Sequence, residues 1–291
     1  MLLCPDCYEC LPAEGENCDK CSWKFAKINN ISQMLSSKDR SSPLFTSYIE
    51  NYEKLANDDL STSLIEDRYI EIQADKIFNL CPALEGKDYC DIGSGRGFLL
   101  KKVASSNPNS ITAVDVSLPY LHNLSNSNYS LYQANAENLP FKERFDVITC
   151  TDIMEHVINL GGFLHSLQKS LKPQGTVIIR VPYKENLIHY AAQNGCKYEF
   201  AHLRDFDKKN IKRLLRFCQL KIQKFEVSSF SLQTPQYWWL KNQKRMDNFM
   251  KFQRHMRKKL TNDSDINLYN SKLLRLFLRP LELTVVAQKI E

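Results

Sequence analysis

From Gly86 onward the sequence alternates short apolar runs with helical stretches, and this rhythm constrains the fold more than any other feature. It predicts strands at Tyr89 to Ile92, Ile111 to Val116, Ser130 to Gln133, Phe145 to Cys150, Thr176 to Val181, Lys221 to Ser229 and Leu283 to Lys289. Helices are expected near Gly97 to Ser105, Leu118 to Leu124, Gly162 to Leu171 and Asp207 to Cys218, with Lys172-Pro173-Gln174-Gly175 as a turn. Single helices between strands make βαβ units, which assemble into a doubly wound, mostly parallel α/β sheet of seven strands. One more helix is expected from Leu60 to Leu80, where Leu64, Ile65, Tyr69, Ile72, Ile77 and Leu80 recur at helical spacing ahead of Pro82. The 291 residues have room for one such domain plus small additions, and 43% hydrophobic with 25% charged residues excludes a disordered or fibrous chain. No apolar run approaches the ~20 residues that span a bilayer. No charged n-region precedes Cys4 in Met1-Leu2-Leu3-Cys4, so a cytoplasmic protein is expected.

The first loop of the alternating region is Asp91-Ile92-Gly93-Ser94-Gly95-Arg96-Gly97, where glycines let a ligand approach the backbone at the carboxyl edge of a strand. A dinucleotide loop wants G-x-G-x-x-G, but Phe98 holds the last position and Asp91 stands two residues before the first glycine. A carboxylate there sits poorly beside a pyrophosphate and well beside an ammonium group, which S-adenosylmethionine (SAM) carries on its amino-acid end. Asp115 ends the next strand, where its two oxygens can accept from ribose hydroxyls. Asn135-Ala136-Glu137-Asn138 follows the third strand and offers polar groups to an adenine edge. A turn glycine or a helix-capping Asp explains each residue singly, but not their order on successive strand ends.

These segments resemble the class I SAM-dependent methyltransferases, whose fold is a Rossmann-like sheet. Tyr89 to Gly97 is similar to the first motif of that family, Val114-Asp115-Val116-Ser117 to its second, and Asn135 to Phe141 to its adenine-side stretch, with Asn135 where the family usually has Asp. Phe145-Asp146-Val147-Ile148, Asp152 to Val157 and Leu171 to Gly175 complete the likeness, which covers about residues 60 to 229 plus the last strand. The resemblance implies SAM as cofactor, bound by Asp91, Gly93, Ser94, Gly95, Asp115, Val116, Asn135, Ala136, Glu137 and Thr151. Tyr48, Tyr52, Arg68 and Tyr69 either cap the methionine end or belong to a packed helix.

Methyl transfer from a sulfonium is an in-line displacement, so the protein must position an acceptor and, for a hydroxyl, remove its proton. His156 follows the fourth strand at the ligand edge of the sheet and is the first candidate base; a helix-start histidine bonded to backbone is the other reading. His202, in His202-Leu203-Arg204-Asp205-Phe206, matches a segment that in relatives lies near the acceptor pocket, and is the second. Asp152, Glu155 and His156 also resemble the cluster with which ubiquinone-pathway O-methyltransferases hold a divalent ion, for which oxygen ligands suit magnesium, although many relatives use none.

Five of the ten cysteines fall in the first 21 residues. Cys4-Pro5-Asp6-Cys7 and Cys18-Asp19-Lys20-Cys21 are two C-x-x-C pairs whose four thiolates can close around a structural zinc, and Cys10 is a spare thiol or an alternative ligand. The segment resembles the zinc ribbon that activates tRNA methyltransferases and precedes some rRNA guanine methyltransferases. A disulfide framework fits a long chain without an export signal less well. Residues 230 to 280 hold 11 basic and 3 acidic side chains, including a basic amphipathic helix over 240–260 preceded by Trp238-Trp239. Such a helix could cover the active site, touch RNA phosphates or lie on an anionic membrane. The expected organisation is a zinc ribbon over 1–35, a linker over 36–59 and a methyltransferase domain over 60–291 with a basic helical insertion at 230–280. The expected reaction is O-methylation of a small-molecule or saccharide acceptor, with RNA methylation or an inactive SAM-binding scaffold as alternatives.

Overall fold

The structure is a computed structural model. It describes residues 1–63, 67–183, 202–230 and 280–290, with scattered positions between 242 and 255. The strands are β1 (Lys27–Ile28), β2 (Ile31–Gln33), β3 (Asp88–Ile92), β4 (Ser110–Asp115), β5 (Ser130–Gln133), β6 (Phe145–Thr151), β7 (Leu171–Pro182), β8 (Leu220–Phe230) and β9 (Pro280–Lys289). The helices are α1 (Ser37–Ser41), α2 (Pro43–Thr62), α3 (Asp67–Phe78), α4 (Phe98–Ala104), α5 (Leu118–Asn123), α6 (Leu160–Ser170) and α7 (Lys208–Phe217), with a 3-10 turn at Ala136–Asn138.

The strands form one sheet in the order β1-β2-β5-β4-β3-β6-β7-β9-β8. From β2 to β7 neighbours run parallel, and β9 is antiparallel to both its neighbours. Alternate residues of each strand enter opposite cores, as a sheet covered on both faces requires. Tyr89, Ala113, Val147 and Ile178 pack with Ala74, Ile77, Leu100, Val103 and Leu121 from α3, α4 and α5. Cys90, Val114, Ile148 and Ile179 face the other way, against Phe163 and Leu167 of α6 and Ile211 and Leu215 of α7.

The doubly wound, mostly parallel sheet is as the sequence predicts, but among the described residues it has nine strands where seven were expected. The two extra strands lie in the cysteine-rich segment. β2 adds to the edge beside β5, pairing Ile31 with Leu131 and Gln33 with Gln133, and β1 folds back on β2. Leu2, Cys4, Leu11, Cys18, Trp23 and Met34 lie within the main core, so this segment shares the sheet and core of the rest of the chain.

The expected linker is helical. Ser36 caps α1 in a reciprocal box with Asp39, and Ser42 caps α2 with Pro43 in its first turn. Pro43 starts the helix readily, because the first turn of a helix has no partner for the missing N–H. The helix expected over Leu60 to Leu80 is two: α2 ends at Ser63, whose φ of 47° is left-handed, and α3 starts at Asp67. The expected turn at Lys172 to Gly175 lies inside β7, where the pairing with β6 shifts between Phe145 and Val147 and Gln174 takes a φ of 60°. The Lys172 ammonium anchors this bulge, donating to Asp88 and Asp146 at 2.7 Å each. Trp238-Trp239 and most of the expected basic helix lie outside the described residues. Among the described residues, no helix is long and apolar enough to cross a membrane.

Candidate active site and cysteine cluster

Strand order reverses at β3, between β4 and β6, and the crevice beyond such a switch point is where open α/β sheets bind ligands. A cavity of about 690 Å³ lies there, walled by the loop after β3, the ends of β4, β6 and β7, and α2 and α3. Gly93 has a φ of +75°, and a Cβ on it would meet Ile153 Cδ1 at 2.0 Å. Gly95, at φ +48°, has open space where a Cβ would stand, so the backbone is bare on that side.

Asp91 is 3% exposed and accepts a 2.6 Å hydrogen bond from Thr149 Oγ1, whose hydroxyl also contacts the Tyr89 phenol. Burial pushes its carboxyl up to about 7, with the Asp115 charge adding to the rise and Thr149 opposing it. Asp115 accepts from the Gly95 N–H at 3.1 Å and the Ser117 N–H at 2.9 Å; burial pushes it up to about 6 against those bonds. Asn135 donates to Asp39 at 3.0 Å and accepts from the Glu137 N–H at 2.9 Å, so its amide shapes the 3-10 turn. Glu137 in turn accepts from the Ile158 N–H at 2.6 Å.

Beyond β6 the wall changes character. Arg180 of β7 forms a two-pronged pair with Asp152 and donates to Gln73 Oε1 at 3.2 Å. Burial works against its charge, but Asp152 and Glu282 raise its pKa nonetheless. Tyr69 donates to Glu282 at 2.9 Å. Arg96 bridges Asp59 at 3.2 Å and Asp67 at 2.7 Å, tying α2 and α3 to the glycine loop. His156 meets Tyr52 and His202 edge to face, with ring centres 5.6 and 4.8 Å apart. Enclosure by protein and then the neighbouring His202 hold the His156 imidazole down at about 3, and its Nδ1 is a buried atom with no hydrogen-bond partner.

Every cofactor and base residue expected from sequence lines this one cavity: Asp91, Gly93, Ser94, Gly95, Asp115, Val116, Asn135, Ala136, Glu137, Thr151, His156 and His202. Tyr48, Tyr52 and Tyr69 join them, and the Arg68 side chain is outside what is described. The expected ion grouping of Asp152, Glu155 and His156 is not assembled, because Asp152 turns to Arg180; the ligand atoms within 4.8 Å of one another belong to Glu155, His156 and His202. Thr149, Arg96, Asp59, Gln73 and Arg180 were missed. Arg180 alone carried a signal, as a charge in an otherwise apolar strand.

Ligand atoms of Cys4, Cys7, Cys18 and Cys21 also lie within 4.8 Å of one another. The Cys4–Cys21 and Cys7–Cys18 sulfurs are 3.6 and 3.5 Å apart, near the ~3.8 Å edge of a tetrahedron with Zn–S of about 2.3 Å. The four thiols therefore fit a structural zinc. This cluster adjoins the cavity wall: the Asn138 amide donates to Pro5 O at 2.9 Å, and Asp6 accepts from the Ser37 N–H and hydroxyl at 2.7 and 2.6 Å.

Residues 66–224 match the family described as "Methyltransferase domain", more than half of the chain. The chain belongs to this methyltransferase family. The methyltransferase domain is similar to a ubiquinone biosynthesis O-methyltransferase from Hydrogenovibrio crunogenus, 30% identical over 103 residues, or 33% of this chain and 42% of that protein. It is as similar to a tRNA U34 carboxymethyltransferase from Nautilia profundicola, also 30% over 103 residues, 33% of this chain and 34% of that one. The chain thus spans less than half the length of these relatives. Among solved structures, one of a methyltransferase complex with its Trm112 activator from Haloferax volcanii matches with a TM-score of 0.56 at 15% identity, covering 82% of this chain and 98% of that one, which speaks for the fold. The matched span of the methyltransferase domain contains His156, His202 and all ten expected cofactor residues. The four cysteines, Tyr48, Tyr52 and Asp59 lie before it.

Proposed function

We propose that this chain transfers a methyl group from SAM to an oxygen of an uncharged acceptor. The observation that carries the reading is the buried Asp91 and half-buried Asp115 carboxylates flanking the bare glycine loop in a cavity lined by seven carboxylates and two guanidiniums. Such a lining favours a cationic ammonium and sulfonium over a diphosphate. SAM supplies an electrophilic methyl on sulfur. Asp91 faces the ammonium end, Asp115 accepts from the ribose hydroxyls, and the turn from Asn135 to Asn138 borders the adenine. Loading a cation beside Asp91 favours its ionised form.

The acceptor hydroxyl lies against the histidine pair. A base held at about 3 gives little driving force at neutral pH, so His202 takes the proton and His156, stacked edge-on, positions it. Tyr52 and Tyr48, whose phenols burial keeps protonated, close this end against water. The cysteine cluster holds a zinc that completes the sheet edge. A small molecule or saccharide is the first acceptor reading, in line with the similarity to ubiquinone biosynthesis O-methyltransferases. An RNA nucleoside is the second, favoured by the cationic flank of α7 outside the acidic cavity.

Calorimetry with SAM, S-adenosylhomocysteine and NAD on the wild type and Asp91→Asn tests the cofactor. SAM binding that weakens at least tenfold in the variant, with no NAD binding, supports it; equal affinity in both, or preference for NAD, removes it. Transfer of labelled methyl from SAM into host small-molecule and RNA fractions identifies the acceptor. SAM binding with no transfer into any fraction indicates an inactive scaffold.

A further inference from the structure

The positive charge of the described chain is concentrated on one flank. Lys208 to Lys224 contain seven of the 39 basic residues and none of the 33 acidic ones, and residues 230 to 280 follow with 11 basic against 3 acidic. This stretch is α7 and the first half of the edge strand β8. Ile211 and Leu215 anchor α7 in the core, which turns Lys209, Lys212, Arg213 and Arg216 outward, beside the exposed Lys221. Lys224 pairs with Glu226 at 3.2 Å and Lys208 covers the Phe225 ring at 5.9 Å. At the far end Phe217 is 89% exposed, the most exposed large apolar side chain among the described residues.

This arrangement works against the helix that carries it. Lys208 and Lys209 occupy its first turn, where the helix dipole disfavours cations. Lys208 with Lys212, Lys209 with Arg213, and Lys212 with Arg216 are like-charged i,i+4 pairs. A face that only needs solvent does not require one sign of charge. We propose that the outer face of α7 and β8 is a docking surface for the phosphate backbone of RNA, with Phe217 as a stacking platform for a base.

Charge complementarity selects a polyanion, and the apolar pattern separates RNA from a lipid surface. Apart from Phe217 at its end, the apolar residues of α7 are spent on the protein core, leaving no strip to enter a bilayer. The acid-lined cavity repels phosphates, so an RNA backbone is held on the face, outside the cavity. The face starts at the cavity rim, where Phe206 pairs with Tyr183 and His202 lies six residues before Lys208. It runs to the opposite end of the sheet, where the Ile290 N–H bonds Gln219 O.

Docking is separable from the reaction proposed above, because it is measured on the full chain without cofactor. Fluorescence anisotropy uses a labelled 12-nucleotide single-stranded RNA and bulk tRNA across a salt series. About five phosphate contacts give a log–log salt slope near −3.5 for the single strand. The triple reversal Lys209→Glu, Lys212→Glu, Arg213→Glu should weaken binding more than tenfold and flatten the slope by about 2. Its thermal melt should not fall, since the reversal relieves the repulsion within α7, and its SAM affinity should stay unchanged. Phe217→Ala should cost about tenfold on the single strand. A control reversal of the same charge at Lys54, Lys87 and Lys142 should leave binding within twofold. The proposal is overturned by salt-indifferent or absent RNA binding, by equal loss in the control reversal, or by adsorption to phosphatidylglycerol vesicles in place of RNA.

Discussion

Replacing Asp91 by Asn isolates the cost of one buried charge. In the cofactor-free protein the carboxyl sits near 7 against an ordinary 3.8, a difference of about three units. At ~1.36 kcal/mol per unit, burying Asp91 destabilises the folded state by about 4 kcal/mol at pH 8, where the carboxyl is ionised, and by about 2 kcal/mol at pH 5.5, where it must take up a proton. The sign follows from proton binding: the folded pKa lies above the unfolded one, so the folded state holds the extra proton between pH 4 and 7, and stability from this group falls as pH rises through that window. Asn is neutral throughout and can keep the Thr149 hydrogen bond. The variant's stability relative to wild type should therefore improve by about 2 kcal/mol between pH 5.5 and pH 8, any constant offset from the amide cancelling in the comparison. Urea melts of both proteins at the two pH values measure this. SAM should reverse the ranking at pH 8, because its cation offsets the buried carboxylate in wild type only. A variant advantage that shrinks with rising pH would refute the electrostatic account of this site.

Thr149→Val removes the hydroxyl between Tyr89 and Asp91; calorimetry should show SAM affinity falling about tenfold, and urea melts a loss of ~1–3 kcal/mol. Gly93→Ala drives a methyl into Ile153 at a left-handed φ and should abolish SAM binding even where circular dichroism shows a folded protein. Emission spectrometry should find about one zinc per chain; chelating it should lower Tm, because Cys4 and Cys18 belong to the main core, and weaken SAM binding through Asn138. His202→Gln should lower kcat at least a hundredfold with little change in SAM affinity, whereas an intact kcat would exclude His202 as the base.

The central sheet was legible because both its faces are buried and β3 to β7 each carry two or more adjacent apolar residues. The β2 segment has three residues, too few for alternation to register, and its partner β5 is about a hundred residues away, so only tertiary pairing makes it a strand. The cofactor end was readable since Asp91, Gly93 and Asp115 are consecutive along the chain in the order the strands present them. The other wall draws Asp59 from α2, Gln73 from α3 and Arg180 from β7, residues whose meeting no local spacing encodes. Asp152 shows the same limit: beside a histidine it resembles an ion ligand, and only the fold brings up the distant Arg180 guanidinium that pairs with it.

Strand β9 lies between β7 and β8 although it follows both along the chain. On the ribosome, then, β8 emerges with no strand to pair with, and waits for some fifty further residues before the slot beside β7 is filled. Until that insertion the nascent chain exposes two raw sheet margins at once. Folding must finish as one late, cooperative zippering, and a product truncated ahead of Pro280 should be degraded as an unfinished protein, with no half-working remnant.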